Sequence, residues 1–124
     1  MSNAFDALQG HQFINLTTYR KNGQSVVTTV WFAQDGDRIV GTTQRQAGKI
    51  KRMRNNPEVS VAPCTANGQV LGEVVKGVAR ALPPEEEAAA KTALRDKYGA
   101  QYDQITANAD PNLRVYWEVK PAKV

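Results

Sequence analysis

The chain has 124 residues and a mass of 13.6 kDa, with 41% hydrophobic and 23% charged residues, the makeup of one folded domain with a real core. Sixteen Lys and Arg against twelve Asp and Glu leave a net charge of +4, an excess too small and too local for a long polyanion track. There is no spanning apolar run or basic-then-apolar leader, and one cysteine with one histidine forms no disulfide or zinc set. The expectation is a cytoplasmic protein that engages neither membrane nor nucleic acid.

Residues 3–9 predict a short helix capped by Asn3, with Phe5 and Leu8 on one face and Gly10 ending it. Residues 13–19 alternate in part and are rich in β-formers. The Asn-Gly signal of a tight hairpin follows in Arg20-Lys21-Asn22-Gly23. The run from Ser25 to Phe32 is the strongest strand, because β-branched and aromatic residues are nearly continuous there. Asp35-Gly36-Asp37 is a second hairpin turn, and residues 38–43 are a third strand.

The stretch Thr42 to Pro57 is the one around which the chain is organised. A polar turn with Thr42, Thr43 and Arg45 passes into a short helix at 47–55, which stops at Asn55-Asn56-Pro57. Helical spacing puts Ile50 and Met53 on one side and Lys49 and Arg52 together on another. Unpaired N–H groups of a first helical turn, backed by these cations, form a site for a phosphate or similar anion. On the residues alone, Lys51 and Arg54 read as a solvated face.

Residues 59–64 are a fourth strand, Ala66-Asn67-Gly68 a turn, and 70–82 a fifth strand in which Gly72 and Gly77 mark bulges or close backbone approach. Pro83-Pro84-Glu85-Glu86-Glu87 opens a helix that runs to Tyr98 and is closed by Gly99. Residues 101–108 add a turn of helix, and 112–120 form a last strand. Six strands, mostly joined by hairpins, predict a mainly β fold with short helices, a closed antiparallel barrel in preference to a sandwich.

Conventional catalytic machinery is missing from this pattern. His11 sits in an N-terminal turn, Cys64 reads as a small buried hydrophobe, and Glu85, Glu86 and Glu87 point different ways from a helix start. No catalytic side chain and no metal site is therefore assigned. An enzyme built this way takes its chemistry from a cofactor. The cationic corner suits the phosphate of a flavin-like molecule, and the strand Val26 to Trp31 offers main-chain donors and acceptors to its ring.

Val26-Val27-Thr28-Thr29-Val30-Trp31-Phe32, Asp35-Gly36-Asp37, Thr42-Thr43, Lys49 to Arg54 and Asn56-Pro57 together resemble the split β-barrel flavin and deazaflavin oxidoreductases related to pyridoxamine 5′-phosphate oxidase. Pro63-Cys64 and the closing Trp117 to Pro121 add to the likeness, which covers residues 10 to 121 and is greatest for the small actinobacterial subgroup that uses coenzyme F420. The resemblance implies a six-stranded antiparallel split β-barrel and a homodimer with cofactor at the subunit interface. It puts Lys49, with Thr42 and Thr43, on the cofactor phosphate, and Arg52 and Arg54 on the anionic tail. It runs Val27, Thr28, Thr29 and Val30 along the ring, and has Trp117 reach the site from the neighbouring subunit. The classical oxidase carries Ser-Arg-Lys before the helix, whereas this chain has Ala47-Gly48-Lys49. Losing one phosphate cation weakens the case for FMN and leaves F420 ahead.

The expected function is F420-dependent hydride transfer to an electron-poor small-molecule substrate, with FMN as the alternative cofactor. A non-catalytic F420 carrier is a second reading. A nucleic-acid-binding barrel ranks last, because Trp31, Phe32, Tyr116 and Trp117 fall in strands and not among the basic residues.

Overall fold

The computed structural model of the chain describes residues 5–44, 47–107 and 114–122. A 3-10 turn at Asp6–Leu8 leads into β1 (Phe13–Tyr19), β2 (Ser25–Trp31), β3 (Ala33–Asp35) and β4 (Arg38–Gln44). Helix α1 (Gly48–Asn55) follows, then β5 (Glu58–Cys64) and β6 (Val75–Ala81). After a 3-10 turn at Pro84–Glu86 come α2 (Glu87–Tyr98), α3 (Ala100–Ala107) and β7 (Arg114–Pro121). The strands form one antiparallel sheet in the order β2-β1-β5-β6-β7-β4-β3, curled as a half-barrel.

The mainly β split barrel expected from the sequence is therefore present, with seven strands instead of six. The extra strand comes from the run of β-formers ending at Phe32, where the chain changes partners. β2 pairs with β1 at one edge of the sheet, while β3 pairs with β4 at the other. One extended run serving both edges requires the sheet to curl. Residue 32 is fixed from α2: the Tyr98 hydroxyl accepts the Phe32 N–H at 3.0 Å and lies 2.8 Å from the Phe32 carbonyl and 2.7 Å from that of Gln12. The Tyr98 ring stacks on Trp31 at 4.4 Å between centroids.

Alternation along the strands divides the apolar residues into two cores. Ile14, Leu16, Ile39, Val61, Trp117 and Val119 fill the inside of the barrel, where Ile50 and Met53 of α1 join them. Ala33, Val40 and Tyr116 face the other way and are covered by Ala90, Leu94 and Tyr98 of α2. The expected close approaches at Gly72 and Gly77 are found. A Cβ at 77 would lie 2.5 Å from Val119 and one at 72 would lie 2.9 Å from Pro63. Regular β6 starts at Val75 and not at 70, and the preceding segment meets the end of β5 through the Cys64–Val70 bridge and the Leu71 N–H, which donates to the Pro63 carbonyl at 2.8 Å. Asn3, Arg45 and the start of the last expected strand at Asn112 lie outside the described residues.

Glu118 of β7 is buried and receives Arg38 and Arg80, each at 2.8 Å. Arg38 also meets Asp35, and Arg80 meets Glu86, both at 2.7 Å. Burial pushes the Glu118 carboxyl up, but hydrogen bonds from Arg38 and then Arg80 outweigh it and hold the group below the ordinary glutamate value. The unfolded chain binds this proton more tightly, so the stabilisation is present above the ordinary value and is lost as pH falls through the lower folded one. Removal of the Tyr98 hydroxyl is predicted to expose the strand switch: Tyr98→Phe should cost on the order of 2 kcal/mol in denaturant unfolding. Glu118→Gln should flatten the acid limb of stability against pH, measured by thermal melts in that range.

Candidate functional site

Helix α1 brings its two sides to different tasks. Ile50 and Met53 are buried in the barrel, and each is preceded by a cation, Lys49 and Arg52. Lys49 Nζ donates to Thr43 Oγ1 of β4 at 3.2 Å. Arg52 Nε donates to Thr18 Oγ1 of β1 at 2.6 Å, and Thr18 is fully buried. Both cations are partly buried. Among the described residues neither has a carboxylate within ion-pair distance.

The electrostatics follow from that lack. Burial, and then the charge of Arg52, holds the Lys49 ammonium below the ordinary lysine value. Burial, and then the charge of Arg20 in the β1–β2 turn, lowers Arg52. The first turn of α1 contains no acid, and its N-cap residue Ala47 makes no side-chain cap. Ile50 N–H closes back on the Ala47 carbonyl, and the helix opens with its first N–H groups directed toward this corner. A partly buried set of like-charged donors, with no acid paired to it among the described residues, favours an anion.

Gly48 has a distinct role in this corner. A Cβ at 48 would lie 2.7 Å from Arg52 Nη1, so the guanidinium folds over the space a side chain there would occupy. Arg52 thus occupies volume that a side chain at position 48 would need.

The other expected site residues divide by strand parity. Thr43 shares the inner face with Ile39, and Gly41 of that face lies under Trp117. Thr42 points to the opposite face, where its hydroxyl donates to the Val115 carbonyl at 3.0 Å and receives Arg114 Nη1 at 3.4 Å. Thr28 and Val30 alternate with Val27 and Thr29, and Val30 packs against the inner core. Thr29 Oγ1 on the outer face donates to Asn15 Oδ1 at 2.8 Å. A ring beside β2 therefore meets one of these side-chain pairs, not both. As β2 is an edge strand with only β1 beside it in the sheet, its main chain keeps a free edge.

Two expectations need correction. Trp117 does not reach outward: it is fully buried in the barrel, against Gly41, because position 117 falls on the inner face of β7. Arg54 does not join Lys49 and Arg52. Two residues beyond Arg52 is about 200° around a helix, so it turns toward a separate cavity bounded by Pro57, Arg80 and Pro84. Thr18 and Arg20 were not expected at the corner. Their sequence context is an ordinary strand and hairpin, and only the placement of α1 brings them there.

The family profile described as Pyridoxamine 5′-phosphate oxidase matches residues 2–124. No curated protein matches the chain. Several solved structures share the fold. An F420 reductase has 21% identity and a TM-score of 0.65, with 99% of this chain and 96% of that one covered. An FAD-binding protein from Mesorhizobium loti has 20% identity and a TM-score of 0.71, covering 97% and 88%. HutZ, a haem storage protein from Vibrio cholerae, has 15% identity and a TM-score of 0.72, covering 96% and 87%. At these identities the likeness is one of fold.

Gly48→Ala is predicted to displace the Arg52 guanidinium without weakening the helix, since alanine is the better helix former. Pyrophosphate binding, measured by calorimetry, should weaken by roughly threefold. The melting temperature should hold or rise.

Proposed function

Because the chain belongs to the pyridoxamine 5′-phosphate oxidase family, we propose that it is an oxidoreductase that holds a flavin-type cofactor, with coenzyme F420 preferred and FMN the alternative. The observation that carries the proposal is the partly buried Lys49–Arg52 corner, which is rich in donors and, among the described residues, paired with no carboxylate. Lys49 and the first turn of α1 would take the phosphate, with Thr43 orienting the lysine. Arg52 and Arg20 would meet further negative groups, which an acidic tail has and FMN lacks. Main-chain groups on the free edge of β2 would orient the ring.

When bound, such a cofactor supplies the hydride for an electron-poor small molecule. The protein contributes position and main-chain dipoles, consistent with the lack of an acid–base pair beside the corner. An F420 reductase among the structures of this fold supports the preference without deciding it. A carrier without turnover is the second reading, favoured by that same lack of an acid–base pair. A haem carrier is disfavoured by the ligands available: the single histidine, His11, is in the N-terminal turn, and Cys64 is buried with its thiol pushed up by burial.

The proposal includes a homodimer. On the outer face, Asn15 of β1 donates to the Gly68 carbonyl at 2.7 Å and so holds the 65–74 segment beside Thr29. Val27 on β2 and Val70, Leu71 and Val74 in that segment are more than half exposed. An apolar strip of this kind suits a second copy of the chain.

Lys49→Ala and Arg52→Ala are each expected to raise the F420 dissociation constant by about tenfold or more, measured by fluorescence titration, with a smaller effect of Arg52→Ala on FMN. Unchanged binding in both variants would remove the site. Turnover of reduced F420 with quinones, enones and nitro compounds separates reductase from carrier. Val27→Glu with Leu71→Glu should shift the protein to monomer in light scattering.

A further inference from the structure

We infer that the ε-amine of Lys97 is an acyl-accepting nucleophile, a modification site that small acyl thioesters reach through a cavity between α2, β3 and the N-terminal segment. The cavity is about 860 Å³, with Gln12, Gln34, Ala89, Ala93, Asp96 and Lys97 among its walls. None of these residues belongs to the Lys49–Arg52 corner.

The surroundings of Lys97 differ from those of an ordinary surface lysine. Its Nζ donates to the His11 carbonyl at 2.6 Å and sits 3.5 Å from the centre of the Phe32 ring. The Tyr98 ring is 5.3 Å away. Among the described residues no carboxylate is paired with the charge: Asp96 on the same helix is exposed, Asp35 on β3 is bound to Arg38, and His11 presents its carbonyl. A carbonyl dipole and an aromatic face stabilise the ammonium less than a carboxylate would. Burial therefore lowers the amine to about 8.

The neutral form has a geometry suited to attack. One N–H remains on the His11 carbonyl and the other lies over Phe32, which leaves the lone pair on the remaining side. The amine nitrogen adds to the thioester carbonyl carbon, a C–N bond forms and the C–S bond breaks. The thiolate leaves and takes up the proton lost by nitrogen, so the products are an amide and a thiol. At pH 7.5 roughly a quarter of such amines are neutral, against about one in a thousand for an ordinary lysine. Lower basicity reduces intrinsic nucleophilicity, and by analogy with thiols the net advantage is on the order of tenfold. Acylation also removes the charge over Phe32, the residue at which β2 passes into β3.

The test uses the full chain and limiting S-acetyl-N-acetylcysteamine from pH 6.5 to 10.5, with each lysine peptide quantified by mass spectrometry. Lys97 should label about tenfold faster than Lys91 of the same helix at pH 7.5, with a half-point near pH 8. Labelling no faster than Lys91, or rising only above pH 10, would overturn the inference. Lys97→Arg keeps a cation over Phe32 and should abolish the fast-labelling peptide while the melting temperature holds. If fast labelling persists in that variant, the nucleophile lies elsewhere and the assignment fails.

Discussion

The structure depends on how residue 32 is held. A strand that starts at one edge of a sheet and finishes at the other can exist only if the sheet bends to meet it, and the bend needs a fixed point. The Tyr98 hydroxyl supplies that point by satisfying main-chain groups of Phe32 and Gln12 where no ladder can reach them. Stacking of Trp31 on the same ring and the Lys97 ammonium over Phe32 add to it from the same helix. With the edges of the sheet drawn toward each other, α1 can set its apolar side into the barrel and its cations against β1 and β4.

Charge is distributed with the same economy. Asp35 of β3, Glu118 of β7 and Glu86 of the turn before α2 are taken up by Arg38 and Arg80. Glu87 is matched to Lys91 one turn along α2. At the Lys49–Arg52 corner, by contrast, the side-chain acceptors among the described residues are two threonine hydroxyls. Threonine lightens the cost of burying a cation but does not cancel its charge. Hence the corner has a positive potential that the rest of the fold leaves in place.

Much of this was legible in the sequence because the relevant physics is local. Asn22-Gly23, Asp35-Gly36 and Asn67-Gly68 mark turns through backbone conformation, and the spacing of Ile50 and Met53 fixes which side of α1 is buried. Lys49 and Arg52 follow from that spacing. The strand switch at Phe32 was not legible, since it depends on a hydroxyl 66 residues away in sequence. Parity was the other loss. Thr42 and Thr43 read as one hydroxyl-rich turn, yet a strand sends them to opposite faces, and the same rule turns Trp117 into the barrel. For Arg54 the residues alone pointed to a solvated face, and it was the resemblance that set it beside Arg52.

The overlap between Gly48 and the Arg52 guanidinium ties two positions into one unit of inheritance. A bulky residue at 48 and the long cation at 52 compete for the same volume, so a change at one is felt at the other. The guanidinium at 52 is also anchored, through Nε, to the buried Thr18 hydroxyl of β1 at 2.6 Å. That tether ties the cation to the barrel wall and leaves the terminal nitrogens of its planar fork to turn toward a negative group.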